Sequence, residues 1–185
     1  GICCRPAENA HQAQEPGSLR PAVSSDVLRI HHIAADTTAE GFGRRMCLWV
    51  QGCTIHCPGC MAKDTWDRNG GTKFSLKELI SILEKYAGRI EGITLLGGEP
   101  FDQAYPLFRF ASAAKNRGLS VIVFSGYTLS QLYEDFRPGV QELLAQADLL
   151  IDGPYMEEQR SFSRPWVGSD NQQYHFLSGR YTWED

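Results

Sequence analysis

The sequence predicts an α/β fold of one domain, in which a mostly parallel sheet forms an incomplete β/α barrel. From Val27 onward, short apolar runs alternate with amphipathic stretches, a pattern typical of strands and helices that take turns along a parallel sheet. The chain has 185 residues. Because a complete eight-fold barrel takes about 250 residues, we expect the roughly five predicted strands to form only part of one, open along a side.

The composition limits the environment and the partners of the protein. Hydrophobic side chains make up 42% of the chain, enough for one sizeable core. The formal net charge of -4 gives no sign of a broad basic surface, so binding to nucleic acid or to an anionic membrane is not favoured. No apolar segment approaches the roughly 18 to 20 residues that span a bilayer, and the N-terminus lacks a signal-peptide pattern. We expect a soluble, cytoplasmic protein.

The six cysteines fall into three groups. Cys3 and Cys4 lie in residues 1–25, a stretch without apolar periodicity that we interpret as a flexible N-terminal tail before a domain at residues 26–185. We assign them no role. Cys47 lies in the apolar run "MCLWV", where a free cysteine is most often a small buried hydrophobe. The other three crowd one loop, which favours a reducing compartment and cysteines used for chemistry or metal.

The elements alternate along the chain. Composition and length predict strands at residues 27–33, 46–51, 93–96, 119–124 and 148–152, with a possible last strand at 173–178. A helix at 75–88 has a capping box of Ser75 and Glu78, and a helix at 128–136 has a second one of Thr128 and Gln131. Further helices are predicted around Pro106, in a first-turn position, and at 140–147.

Unusual residues follow four successive strands: "GCTIHCPGC", "GGEP", "SGY" and "DGPY". In parallel α/β folds the loops at the carboxyl ends of the strands converge on one mouth, where ligands bind. We therefore expect these four loops to form one site.

The residues alone leave four interpretations open for Cys53, Cys57 and Cys60. A thiol redox pair of Cys57 and Cys60 leaves Cys53 unexplained. Structural zinc needs a fourth ligand, which would be Cys47 or His56. A disulfide leaves the third thiol alone. A four-iron cluster held by three thiolates leaves one iron open to another ligand, as catalytic zinc keeps one position free.

Several blocks of the sequence together resemble the radical S-adenosylmethionine (SAM) superfamily. They are the C-x3-C-x2-C spacing after a strand, "GGEP" after the next strand, "TW" at Thr65 and Trp66, "FSGYTLSQL", "LLIDGPYMEE" and "GSDNQ". Within the superfamily the chain is most similar to small activating enzymes, above all the anaerobic ribonucleotide reductase activating protein family. The resemblance runs from about residue 28 to residue 172 and implies an incomplete radical SAM barrel.

The resemblance implies the following roles. Cys53, Cys57 and Cys60 hold a [4Fe-4S] cluster, and the amino and carboxylate groups of SAM bind the open iron. The cluster's electron cleaves SAM to methionine and a 5'-deoxyadenosyl radical, which abstracts hydrogen. The remaining implied contacts are Gly97, Gly98, Glu99 and Pro100 to the methionine part of SAM, Ser125 and Gly126 near its ribose or carboxylate, and Gly59 beside the adenine. Asp152, Ser169, Asn171 and Gln172 line the mouth, although turn and capping roles explain them equally well.

The target and the electron donor are also expectations from the resemblance. It implies a glycyl radical enzyme as partner and a flavodoxin or ferredoxin-type donor. Two departures favour an alternative, a small molecule or a peptide as target: Phe42 replaces a proline usual in this loop, and Gln173 stands where relatives often have a basic residue. A third hypothesis is a non-enzymatic metal-binding module.

Overall fold

The structure, a computed structural model, describes residues 26–185. The predicted tail at residues 1–25, with Cys3 and Cys4, lies outside the described residues. The strands are β1 (Val27–Thr37), β2 (Arg45–Val50), β3 (Thr72–Ser75), β4 (Gly92–Gly97), β5 (Ser120–Phe124), β6 (Leu149–Asp152) and β7 (Gln173–Phe176). The helices are α1 (Leu76–Tyr86), α2 (Ala104–Lys115), α3 (Leu129–Tyr133) and α4 (Val140–Gln146).

One sheet contains all these strands, in the order β3-β1-β2-β4-β5-β6-β7. The four central strands β2, β4, β5 and β6 are parallel, so their carboxyl ends lie at one edge of the sheet. The outer strands β1, β3 and β7 run antiparallel to their neighbours. The sheet does not close on itself within the described residues, which confirms an α/β fold with an incomplete barrel.

The edges of the sheet differ from the sequence prediction. The strand β3 was not predicted, and β1 continues to Thr37, beyond the predicted end at residue 33. Both differences depend on pairing between distant residues, because Thr72–Ser75 forms a strand only by pairing with Val27 to Ile30. The possible last strand is present as β7, which pairs with β6 in the antiparallel sense and forms one edge of the sheet.

The helices follow local signals in the sequence. Both predicted capping boxes are present: Ser75 and Glu78 begin α1, and Thr128 and Gln131 begin α3. The helix α3 has only five residues and ends at Tyr133, short of the predicted residue 136. No helix in the described part of the chain is long and apolar enough to cross a membrane.

Two apolar clusters cover the two faces of the sheet. The larger one packs α1, α2 and α4 against one face and includes Leu79, Leu107 and Leu143. The smaller one lies on Ile122, Leu149 and Ile151 and consists mainly of aromatic rings from the Phe42 loop and the C-terminal segment. The core therefore fixes the directions of the central strands, and with them the positions of the loops at their carboxyl ends.

A buried arginine joins the amino ends of the parallel strands. Arg45 is fully buried, and its guanidinium donates only to neutral oxygens. The acceptors are the carbonyl oxygens of Phe42, Ile93 and Ser120 and the hydroxyls of Thr94, Ser120 and Tyr181. Burial lowers the pKa of Arg45. Through Tyr181 it also ties the C-terminal segment to the sheet, at the end opposite the loops described below.

We predict that Arg45→Met lowers the free energy of unfolding by about 2–4 kcal/mol, because buried carbonyl oxygens lose their donors. The adjacent Arg44→Met is the matched control. Arg44 is largely exposed and pairs with Asp36 at the surface, so its replacement should change stability little. Urea denaturation of both variants measures this, and equal losses for the two would contradict the role assigned to Arg45.

Candidate functional site

The carboxyl ends of β2, β4, β5 and β6 surround one cavity of about 160 Å3. The loop after each strand contributes to its lining, as the sequence predicts for parallel strands. The lining residues are Cys53, Ile55, Cys57, Cys60, Trp66, Gly97, Gly98, Glu99, Phe124, Ser125, Gly126, Ile151, Gly153, Tyr155 and Gln172. Three cysteines and one glutamate thus face the same space.

The loop from Cys53 to Cys60, called the cysteine loop below, has a defined backbone. At its start, the amide groups of Gly52 and Cys53 donate to the carbonyl oxygens of Thr65 and Trp66, at 2.6 and 3.2 Å. At its end, the Cys60 amide donates to the Cys57 carbonyl at 3.1 Å. Gly59 makes this turn with φ +76°, a value that favours glycine.

The thiols of the cysteine loop are free and partly buried. Burial raises the pKa of Cys53 and of Cys57 above the ordinary thiol value, so without a cation they favour the neutral form. No three His, Cys, Asp or Glu side chains in residues 26–185 lie close enough to share a single metal ion. A four-iron cluster makes a different demand, because each of three thiolates binds a different iron.

Neither of the two fourth zinc ligands that the sequence suggested, Cys47 or His56, lines the cavity. Cys47 is fully buried in β2 and does not line the cavity, and burial raises the pKa of its thiol to about 11. This confirms its interpretation as a small buried hydrophobe. His56 has φ +53°, and its ring stacks on Trp66 at a centroid distance of 4.4 Å. It lines an outer groove and not the cavity.

The carboxylate of Glu99 is buried at the wall of the cavity, only 1% exposed. Its Oε1 accepts from the Phe101 amide at 2.9 Å and from the Ser125 hydroxyl at 3.0 Å. Its Oε2 accepts from the Gly126 amide at 2.8 Å. No Lys, Arg or His of the described residues pairs with it, so burial dominates and raises the pKa of Glu99 to about 7.

The glycines of "GGEP" are required by contact between loops. A Cβ at Gly98 would lie 2.2 Å from the carbonyl oxygen of Gly52, and one at Gly97 would lie 2.6 Å from the Val50 amide nitrogen. The Gly98 amide donates to the Val50 carbonyl and the Glu99 amide to the Gly52 carbonyl. The sequence argument assigned these glycines to contact with SAM, whereas the structure explains them by close packing between the loop that follows β4 and the loop that follows β2.

The other predicted site residues divide into two groups. Ser125, Gly126 and Gln172 line the cavity with Glu99. Gly59 and Pro100 do not: a Cβ at Gly59 would lie 2.7 Å from the Glu157 carboxylate, and Pro100 is buried at the start of a short 3-10 turn. Neither residue faces the cavity that Glu99 lines.

Most of the predicted mouth residues hold loops together. Asp152 accepts from the Leu129 amide and lies 3.0 Å from His175. Ser169 accepts from the Met156 amide at 3.1 Å, and the Asn171 side chain donates to the Pro154 carbonyl at 2.8 Å. Gln172 also has this kind of role, since its side-chain amide donates to the Gly153 carbonyl at 3.0 Å.

Six residues that line the cavity were given no site role by the sequence argument: Ile55, Trp66, Phe124, Ile151, Gly153 and Tyr155. Ile55 and Tyr155 both line it, and both stand in the loops "GCTIHCPGC" and "DGPY" that the argument had already placed at the mouth. Phe124, the last residue of β5, could have been found from its position directly before "SGY". Ile55, Tyr155 and Phe124 stand at the end of a strand or in the loop after it, and this position was the signal that the sequence offered.

A second depression lies on the outer side of the cysteine loop. This outer groove, of about 910 Å3, is lined by residues of β1, β3, the cysteine loop and the segment after it. Cys53 borders both the outer groove and the cavity. The basic side chains of Arg29, Arg68 and Lys73 line it together with Asp67 and Asp102.

Comparison with known proteins adds to this geometry. The family described as 4Fe-4S single cluster domain matches residues 39–175, which include all four loops of the cavity. The chain is 32% identical over 145 residues to the anaerobic ribonucleoside-triphosphate reductase-activating protein of Escherichia coli K12, covering 75% of this chain and 92% of that protein. The chain belongs to this activating-protein family. The relative from Enterobacteria phage T4 is 36% identical over 143 residues, covering 72% of this chain and 84% of the relative.

Membership of the family makes this chain a radical SAM enzyme, with a [4Fe-4S] cluster and SAM as its cofactors. Among solved structures, QueE from Escherichia coli is similar with a TM-score of 0.47 and 15% identity, covering 66% of this chain and 68% of that one. This likeness is too low to bear on the assignment, which rests on the sequence relatives.

The pKa of Glu99 leads to a prediction about stability. Its folded-state value of about 7 lies above the ordinary 4.5, so the folded protein holds a proton that the unfolded chain releases between these values. The proton on Glu99 therefore stabilises the folded state fully below pH 4.5, and this stabilisation is lost as the pH rises through about 7. The nearby Asp102 carboxylate acts in the same direction.

We therefore expect the unfolding free energy of the cluster-free protein to fall, relative to that of Glu99→Gln, as the pH rises from about 5 to about 8. Urea denaturation of both proteins across this range measures the difference. A difference that stays constant with pH would contradict the raised pKa.

Proposed function

We propose that this radical SAM enzyme generates a glycyl radical on a partner enzyme of the anaerobic ribonucleotide reductase type. The cofactor part of this proposal is carried by one observation: three thiols of one loop face the same cavity as a buried carboxylate that has no cation partner in the described structure. The target class is supported by the relatives, which are anaerobic ribonucleoside-triphosphate reductase-activating proteins.

Cys53, Cys57 and Cys60 are proposed to hold the cluster. The fit rests on three features of the described residues: the thiols are free, they border one cavity, and no fourth cysteine borders it. Three thiolates leave one iron open. Iron would also remove the cost of ionising Cys53 and Cys57 in a partly buried site, because the bound metal stabilises the thiolate form.

Glu99 is proposed to bind the amino group of SAM. A buried carboxylate without a cation is costly, and an ammonium group in the cavity would supply the missing charge and hold Glu99 ionised. Ser125 and Gly126 fix the carboxylate, and they are proposed to lie near the ribose or the carboxylate of SAM. Gly59 beside the adenine, and Gly97, Gly98 and Pro100 beside the methionine part, remain proposals from the resemblance.

When bound and reduced, the cluster supplies the electron that cleaves SAM to methionine and the 5'-deoxyadenosyl radical, which takes a hydrogen atom from the target. The described residues contribute position and exclusion of water. The four loops wall the cavity, and Ile55, Phe124, Ile151 and Tyr155 add apolar surface to it. Such a lining limits access of water to a reactive radical.

A protein target is favoured over a small molecule or a peptide. The alternative was motivated by Phe42 and Gln173, but neither residue lines the cavity. Phe42 instead packs against Trp166 and Tyr181, with ring centroids 4.8 Å apart in both pairs. Phe42 therefore has a packing role on the sheet, and neither departure supplies a residue to the wall of the cavity.

The electron donor is proposed to be a flavodoxin or ferredoxin-type protein that approaches through the outer groove. Cys53 borders this groove as well as the cavity, so a donor in the groove and SAM in the cavity would meet the cluster from different sides. Arg68 and Lys73 are exposed on the groove beside the acidic Asp67, and they are proposed to pair with acidic side chains of the donor.

We predict that alanine at Cys53, Cys57 or Cys60 abolishes assembly of a [4Fe-4S] cluster, because each thiolate holds a separate iron. Cys47→Ala is the matched control and should assemble the cluster normally, since Cys47 lies in the core. Iron and sulfide content and visible absorbance after anaerobic reconstitution measure this. If the wild type takes up zinc but no iron and sulfide, and Cys60→Ala leaves the absorbance unchanged, the protein is a metal-binding module and the enzyme proposal fails.

We also predict a glycyl radical signal in electron paramagnetic resonance when the reconstituted protein is incubated with SAM, a reductant and an anaerobic ribonucleotide reductase. The partner with its radical-site glycine changed to alanine is the control and should give no signal. SAM cleavage without a signal on any candidate partner would count against the target class. Replacing the chemical reductant by reduced flavodoxin or ferredoxin in the same assay tests the donor.

A further inference from the structure

One carboxylate outside the cavity is joined to the cysteine loop. Asp102 lies in the short 3-10 turn Pro100–Gln103 that follows "GGE". Its Oδ2 accepts two hydrogen bonds from Thr54, one from the amide and one from the hydroxyl, each at 2.8 Å. Thr54 directly follows Cys53, so this oxygen fixes the backbone at the start of the segment between two of the three thiols.

The carboxylate is itself held from its other side. Its Oδ1 accepts from the Arg137 guanidinium at 3.1 Å and from the Tyr127 hydroxyl at 3.4 Å. The Tyr127 hydroxyl also lies 3.0 Å from the Thr54 hydroxyl. Arg137 is positioned in turn by Asp135, at 2.6 Å. The Asp102 side chain is only 9% exposed, whereas its partners Thr54 and Arg137 are exposed.

A second contact holds the next residue of the loop. Ile55 packs against the "SGY" loop: a Cβ at Gly126 would lie 2.6 Å from the Ile55 Cδ1 atom. The segment between Cys53 and Cys57 is therefore held by a charge-assisted hydrogen-bond pair at Thr54 and by close packing at Ile55. Without the hydrogen bonds from Thr54 to Asp102, only the packing of the neighbouring Ile55 would order the exposed Thr54.

We propose that Asp102 is a positioning residue for the cluster site. Through Thr54 it holds Cys53 and Cys57 at the cavity in the cluster-free protein, so that the ligands need no ordering when iron binds. This deepens the proposed function and rests on the cluster role of these cysteines. Loss of a group that orients a metal ligand typically costs about 10–100-fold in metal affinity or activity.

The variants separate the contact to Thr54 from the contact to Arg137. Asp102→Ala removes both, whereas Asp102→Asn can keep an oxygen at the Oδ2 position for both Thr54 donors and replaces the oxygen that faces Arg137. Thr54→Val removes only the hydroxyl donor. Asp135→Ala is the matched control, because it removes the other carboxylate partner of Arg137 without touching the cysteine loop.

Two measurements test the proposal. In the cluster-free protein, amide hydrogen exchange at residue 54 should become faster in Asp102→Ala and stay near the wild-type rate in Asp102→Asn and Asp135→Ala. In the reconstituted protein, release of iron to a chelator should be about 10-fold faster in Asp102→Ala, with a smaller increase in Thr54→Val and none in Asp135→Ala. The partial effect of Thr54→Val keeps the proposal testable if Asp102→Ala does not fold.

The proposal is overturned if Asp102→Ala matches Asp135→Ala in both measurements, or if exchange accelerates while iron release does not. Its failure is distinct from failure of the proposed function. If the wild type takes up no cluster, the function is wrong, whereas the exchange rates in the cluster-free protein still decide whether Asp102 orders the loop.

Discussion

The buried carboxylate of Glu99 joins the loops on which the site depends. Its oxygens accept from Ser125 and Gly126 at the β5 exit, and its own amide donates to the Gly52 carbonyl at the β2 exit. Because Glu99 stands at the β4 exit, one residue connects three of the four parallel strands at their carboxyl ends. The glycines before it allow this, since a side chain at Gly98 would collide with Gly52.

The same residue connects the fold to the chemistry. A carboxylate that is 1% exposed and unpaired in the described structure destabilises the empty protein above neutral pH, as its raised pKa indicates. An ammonium ligand would compensate for that cost. The structure therefore places a buried carboxylate without a cation partner at the same cavity as three thiols, an arrangement that suits a ligand with a positive amino group bound next to a metal cluster. If Glu99 binds the amino group of SAM as proposed, this one side chain couples stability to ligand binding.

How much could be predicted from the sequence depended on whether the deciding contact was local. The capping boxes of α1 and α3 were predicted because both partners lie within four consecutive residues. The positions of the four loops followed from the general geometry of parallel strands. The strand β3 was missed because Thr72–Ser75 becomes a strand only through pairing with a segment more than forty residues earlier. The sense of β7 depended on long-range pairing in the same way.

Within the site, residue types were predictable and their surroundings were not. The cysteine spacing identified the loop, but the burial of Glu99 depends on neighbours from two other strand exits. Gly97 and Gly98 were found for a different reason from the one that the structure shows. Nothing local marks Asp102, because its partners Thr54 and Arg137 are separated from it by 48 and 35 residues.

The central claim is that the three thiolates of the cysteine loop leave one iron of the cluster open, and that SAM binds there beside Glu99. Mössbauer spectroscopy of the protein reconstituted with 57Fe tests it most directly, because it resolves individual iron environments. One iron of the [4Fe-4S] cluster should differ from the other three, and its spectrum alone should change when SAM is added to the wild type but much less in Glu99→Gln. A spectrum with four equivalent irons, unchanged by SAM, would contradict the account.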